Sequence, residues 1–176
     1  MIRFFDILFS LTGLILLFPL LILLWFLGLL DNGSPIFIQK RVGCNLKSFL
    51  LIKFRTMPIN TRSAATHLIK NIKLSSFGYF LRRTKIDETP QLFNVLFGDM
   101  SLVGPRPCLF NQKKLISERK KRGVFKVRPG ITGLAQILGI SMKTPTLLAK
   151  TDQKMIKNMI LYNYFYYIFK TIFKII

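Results

Sequence analysis

Acidic residues are scarce in this chain: seven Asp and Glu stand against 27 Lys and Arg, for a formal net charge of +20. That imbalance implies an acidic partner, whether nucleic acid, an anionic lipid surface or a phosphorylated substrate. Cysteine and histidine are scarcer still, at two and one. Cys44 and Cys108 are isolated, make no disulfide framework, and fit a reducing compartment. With so few ligands no zinc site can be assembled. His67 has no Ser or Cys pattern around it that would form a nucleophilic triad, and it reads as a surface residue. The aromatic residues fall on apolar faces rather than interleaving with a basic groove, which argues against nucleic acid.

What the chain has in quantity is apolar surface, 51% of 176 residues. Together with the positive charge this favours a membrane, where each Lys or Arg near an anionic surface contributes about 1 kcal/mol of attraction. The length suits one domain with a core, or a smaller domain plus a membrane element. Ile7 to Leu30 is almost unbroken hydrocarbon, and as a straight helix of about 24 residues it would extend roughly 36 Å, enough to cross a bilayer core. A cleaved signal peptide does not fit, because the apolar region is too long and no small-residue cleavage site follows. Pro19 lies near its midpoint and removes a helix hydrogen bond there. Arg3 precedes the run and Lys40, Arg41, Lys47, Lys53 and Arg55 follow it. A spanning helix and one that bends at Pro19 and returns are therefore both compatible with these residues.

Two of the rare acids, Asp87 and Glu88, stand side by side just before a short helical pattern. Leu92, Val95 and Leu96 repeat at helical spacing, Pro90 suits the first turn and Gly98 the stop. A helix N-terminus can hold a carboxylate and receive a phosphate at one place. An acidic pair in that position is in most proteins no more than a cap. Here, though, it is followed by Gly104-Pro105-Arg106-Pro107, in which the prolines stiffen an extended backbone so that Arg106 can fork onto two phosphate oxygens. Arg82, Arg83 and Lys85 add cations just upstream. Carboxylates, cations and a helix end together point to a phosphate-handling centre.

IDETPQLFNVL followed by GDMSLVGPRP, residues 86–96 and 98–107, resembles the signature of the bacterial sugar transferase family, the small monotopic phosphoglycosyl transferases. Further matches are GSPIFIQKRVG, then KSFLLIKFRTM, and the PGITGLAQ loop. The likeness covers nearly the whole chain. It departs at Phe18, where the family usually has Ser before the proline, at Leu134, where many members have Trp, and at Tyr166 or Tyr167, where many have Asp.

The resemblance implies a mixed α/β, mostly helical fold. Residues 1–31 would form a re-entrant hydrophobic helix-break-helix, and residues 32–176 a catalytic domain on the cytoplasmic face of the bacterial inner membrane. The residues themselves predict a small β-hairpin, Ile36–Ile38 with Phe49–Ile52 around Val42–Asn45. Gln39, Arg41, Lys53 and Arg55 lie on or beside it and read mainly as a solvated or lipid-facing basic edge. Phe77, Phe80 and Leu81 give a helix that delivers Arg82 and Arg83, and Leu115–Arg122 is a basic helical pattern with a solvated or headgroup-facing surface. Val127–Gln136 reads as a Gly and Pro loop. In the tail, Asn163, Lys170, Thr171 and Lys174 form one polar stripe on an aromatic helix suited to the membrane interface.

The activity implied is transfer of a phospho-sugar from a UDP-sugar to polyprenyl phosphate, with loss of UMP. Asp87 would be the nucleophile, and Glu88 its helper as metal ligand or acid/base. Arg82 and Arg106 would clamp phosphate. Mg2+, held by Asp87 and Glu88, and fixed cations would neutralise the diphosphate. UDP-sugar, polyprenyl phosphate and membrane lipids are the expected partners, a homodimer is allowed, and nucleic acid is not expected. Ile140–Lys150 is a candidate for choosing the sugar.

Overall fold

The long apolar run is one helical element, α1 (Ile2–Asn32), with Pro19 inside it and Gly33 closing it in the left-handed conformation. In the computed structural model, which describes residues 1–59, 61 and 74–175, α1 is a single element by its hydrogen bonding and is not divided into two helices. His67 and the polar stretch around it lie outside the described residues. The face of α1 that carries Asp6, Ser10, Leu14, Leu24 and Gly28 is buried. Leu20, Leu21 and Leu24 pack with Phe54, Phe77, Leu81 and Ile86, while Ile2 and Phe5 pack with Val103, Met155, Tyr164 and Tyr167. The opposite face leaves Phe4, Leu11, Ile15, Leu16, Phe18 and Phe26 exposed.

The expected hairpin is present and longer than its apolar cores suggested: β1 (Ile36–Val42) pairs antiparallel with β2 (Ser48–Phe54), in the register Gln39 opposite Leu51. Its turn is tight, with Asn45 and Leu46 both at positive φ (51° and 62°). α2 (Ser76–Thr84) starts where the Ser75 hydroxyl accepts from the Gly78 N–H at 2.9 Å. After a single 3-10 turn over Ile86–Glu88 comes α3 (Gln91–Phe97), capped by Gly98 at φ 90°. A second sheet was not anticipated: β3 (Ser101–Val103) pairs in parallel with β4 (Gly130–Thr132), so the stretch read as a Gly and Pro loop contains a strand. Three-residue strands are below the length at which alternation gives a signal.

α4 (Lys113–Lys121), α5 (Leu134–Ile137), α6 (Pro145–Lys157) and α7 (Leu161–Ile175) complete the order. α4 is not merely a solvated basic helix, because Leu115 and Arg119 on its inner face are buried. α7 turns Tyr164 and Tyr167 into the core and leaves Tyr162, Phe169 and Phe173 exposed. The fold is therefore mixed α/β and mostly helical, with two small sheets and one long apolar N-terminal helix.

Candidate active site

Lys85 ends α2 in the left-handed conformation (φ 55°) and turns the chain abruptly into the Ile86–Glu88 turn. Ile86 is held in the core against Leu24, Phe54 and Leu81, and its carbonyl accepts the Thr89 hydroxyl at 2.7 Å. With Ile86 pointing inward, Asp87 is buried at 6% exposure, and Glu88 follows half-buried. Neither carboxylate caps α3, whose first residue is preceded by Pro90 with no side-chain cap. Tertiary packing rather than a helix terminus holds the pair, which corrects the expectation drawn from the Pro90 pattern.

Facing them, the Gly104-Pro105-Arg106-Pro107 segment leaves β3 pressed against β4. The Gly104 N–H donates to Thr132 O at 2.8 Å and the Gly130 N–H to Pro105 O at 3.0 Å. A Cβ on Gly130 would fall 1.9 Å from the Gly104 nitrogen, so only glycine allows this approach. Two guanidiniums then pin the segment from behind. Arg119 Nη1 donates to Arg106 O at 2.8 Å and Arg41 Nη1 to Pro107 O at 3.1 Å. Arg119 is itself fixed by a buried ion pair with Asp152 at 2.7 Å. The stiffness inferred from the two prolines is thus reinforced by side chains from β1, α4 and α6.

Arg106 projects, about half exposed, and forks onto Glu88: Nη1 donates to Oε2 at 3.4 Å and Nη2 to Oε1. The four residues singled out from sequence, Arg82, Asp87, Glu88 and Arg106, all line one cavity of about 480 Å³. Arg82 is oriented there by donating its Nε to the Thr56 hydroxyl at 2.8 Å. The fork of Arg106 is occupied by Glu88 rather than free, so as a phosphate ligand it would have to exchange partners.

Sequence reasoning missed several residues on the same walls. Lys53, read as a basic edge, lines the cavity, as do Thr132, Gln136 and Thr171. Thr171 turns inward to hydrogen-bond the Thr132 hydroxyl instead of joining a polar stripe. Both amide atoms of Gln136 are buried without a partner. Leu92, Leu102, Ile131, Ile168 and Ile172 make the cavity apolar on one side. Only the period-two position of Lys53, opposite Phe37 in the hairpin, could have hinted at its inward turn.

The electrostatics separate the two carboxylates. Burial and the adjacent Glu88 charge push Asp87 up to about 6, against the opposing pull of Lys53, Arg82 and Arg106. Burial also pushes Glu88 up, but the Arg106 charge and hydrogen bonds outweigh it and hold Glu88 below the usual carboxylate range. Burial lowers the Lys53 ammonium in spite of both acids. Two neighbouring acids with diverging affinities for protons are the pattern expected when one reacts and the other serves.

Among the described residues no cluster of three or more His, Cys, Asp or Glu side chains exists. Two carboxylates at a cavity of this size still suit Mg2+, which takes one or two carboxylates and fills its other positions with water and substrate phosphate.

A family profile described as "Bacterial sugar transferase" matches residues 1–176. Among similar proteins, "Undecaprenyl-phosphate galactose phosphotransferase" of Salmonella typhimurium is 35% identical over 186 aligned residues, covering 96% of this chain and 39% of that protein. "UDP-glucose:undecaprenyl-phosphate glucose-1-phosphate transferase" of Klebsiella pneumoniae is 41% identical over 152 residues, covering 82% of this chain and 32% of that one. "Uncharacterized sugar transferase EpsL" of Bacillus subtilis is 48% identical over 111 residues, covering 62% and 54%. The chain thus spans well under half the length of the first two.

Proposed function

From its place in the bacterial sugar transferase family, to which this chain belongs, we propose that it moves a sugar 1-phosphate from a UDP-sugar to undecaprenyl phosphate. The observation that carries this is the pairing of a buried Asp87 with an Arg-locked Glu88 in a cavity that is cationic on one side and apolar on the other. A nucleotide sugar needs the cations, and a polyprenyl phosphate needs both.

In the first step a carboxylate oxygen of Asp87 attacks the phosphorus that carries the sugar. An O–P bond forms, the bond to the bridging oxygen breaks, and UMP leaves with the electron pair. In the second step a phosphate oxygen of the polyprenyl carrier attacks the same phosphorus, and the Asp87 carboxylate is released. Dividing the transfer in two lets a soluble donor and a lipid acceptor use one cavity in turn. Arg106 exchanges Glu88 for the incoming phosphate and Arg82 supports it from the Thr56 side. Mg2+ held by Asp87 and Glu88 would neutralise diphosphate charge. The test is UMP release from a panel of UDP-sugars with undecaprenyl phosphate present. No UMP from any UDP-sugar would remove the proposal.

The exposed apolar faces of α1 and α7 support seating both at the cytoplasmic side of the inner membrane. α1 would bend at Pro19 when seated in the membrane, entering one leaflet and returning, with residues 32–176 as the catalytic domain. In a Cys44→Ser, Cys108→Ser background, single cysteines placed near Met1 and near Asn60 should both resist an impermeant thiol reagent on intact cells. Labelling near Met1 alone would mean a spanning helix.

A further inference from the structure

α1 is apolar almost throughout, yet it buries a carboxylate in its second turn: Asp6 is 2% exposed. Burying such a group is costly unless donors surround it. Three do. Asp6 Oδ1 accepts the Ser101 hydroxyl at 3.0 Å, the Leu102 N–H at 2.9 Å and the Tyr164 hydroxyl at 2.9 Å. Burial and the Asp6 charge both push the Tyr164 phenol up, so it stays a neutral donor.

The choice of donors is informative. β3 pairs with β4 through Ser101 and Val103, so the Leu102 N–H points to the opposite edge of the strand, where Asp6 takes the place of a neighbouring strand. Four residues on from Leu102 is Arg106, and the Gly104 and Pro105 backbones between them are already bound to β4. Little slack is left in that path. One turn before Asp6, Arg3 donates to Val95 O at 2.7 Å and Leu96 O at 3.1 Å at the end of α3, the helix that follows Asp87 and Glu88. The first two turns of α1 therefore grip both segments that converge on the Glu88–Arg106 pair.

We propose that Asp6 is a positioning residue: it sets the edge of β3, and through it the Arg106 guanidinium against Glu88, so that the seating of α1 fixes the geometry of the phosphate site. This rests on the function proposed above, with Arg106 as phosphate ligand.

The full chain in nanodiscs would be compared as wild type, Asp6→Ala, Asp6→Asn, Tyr164→Phe and Leu81→Ala, the last a core control whose cluster holds no residue of 101–107. Asp6→Ala should lower kcat for UMP release at least about tenfold, since small displacements of catalytic groups are costly. In an Arg106→Lys background the same change should cost no more than about twofold further, because both act through one guanidinium. Asp6→Asn keeps an acceptor oxygen and should recover to within about threefold of wild type, and Tyr164→Phe, losing one of three donors, should fall between them. Amide exchange needs no substrate: Asp6→Ala should speed exchange in residues 101–107, and Leu81→Ala should not. Equal losses in both Arg106 backgrounds, or unchanged exchange in residues 101–107 of Asp6→Ala, would overturn the proposal. If the Ala variant does not fold, the Asn and Phe variants decide it through the same exchange reading. If wild type releases no UMP, the proposed activity fails, and the exchange result still decides whether Asp6 holds the segment.

Discussion

Asp87→Asn should abolish both UMP release and any covalent sugar-phosphate adduct, a loss of at least about 10³-fold, as removal of a nucleophile typically brings. The amide keeps the shape of the side chain and removes only the attacking charge. The same variant should be more stable than wild type at neutral pH. Asp87 binds its proton more tightly folded, with a value of about 6, than unfolded, where a value near 3.8 applies. Stability therefore falls as pH rises from about 4 to about 6, and remains lower above that. Asn removes this penalty, on the order of 3 kcal/mol at pH 7.5 in the metal-free protein, and should give no gain below about pH 4. A rise in melting temperature at pH 7.5 that vanishes in acid, beside lost turnover, is the double signature expected of a buried nucleophilic carboxylate. Glu88→Gln, by contrast, should slow turnover while leaving some adduct, because neighbouring side chains on a 3-10 turn diverge by about 120° and only one of the pair can attack in line.

Arg106→Lys is the second large effect. Lysine keeps the charge but has no planar fork, and at Glu88 that fork makes two contacts at once. Losing one charge-assisted bond to substrate should reduce UMP release by at least about tenfold. The empty enzyme adds a further expectation. Glu88 is held ionised chiefly against burial by Arg106, so weakening that contact should move Glu88 up and make Arg106→Lys and Glu88→Gln less than additive. Near-normal turnover in Arg106→Lys would reduce Arg106 to a surface residue, and strict additivity would mean that the two do not act as a pair.

How much of this was legible in the sequence follows from where the parts lie along the chain. Asp87, Glu88 and Arg106 fall within one contiguous run whose prolines and glycines announce its geometry, and they do meet in one cavity. The hairpin was legible from two apolar strand cores around a turn. Arg119 was not, because its partner Asp152 lies 33 positions away, and a basic helix gives no sign of which cation turns inward. Thr132 and Thr171 meet across 39 positions, between a three-residue strand and a helix whose aromatic character overshadowed its one inward hydroxyl. Asp6 is not legible either, because its donors Ser101, Leu102 and Tyr164 lie 95 or more positions away and nothing beside the apolar run marks it as buried. The helix-end pattern around Pro90 is not what holds Asp87: Lys85 in a left-handed turn and Ile86 in the core set the acids, and neither is visible as local propensity.

The covalent role proposed for Asp87 is tested most directly by intact-protein mass spectrometry after incubation with UDP-sugars and Mg2+, with no lipid acceptor present. A mass increase equal to one sugar phosphate, carried on the peptide that contains Asp87 and released by undecaprenyl phosphate, is the result expected, and its size identifies the sugar. UMP formation that requires the acceptor from the first turnover, with no adduct at any UDP-sugar concentration, would contradict it.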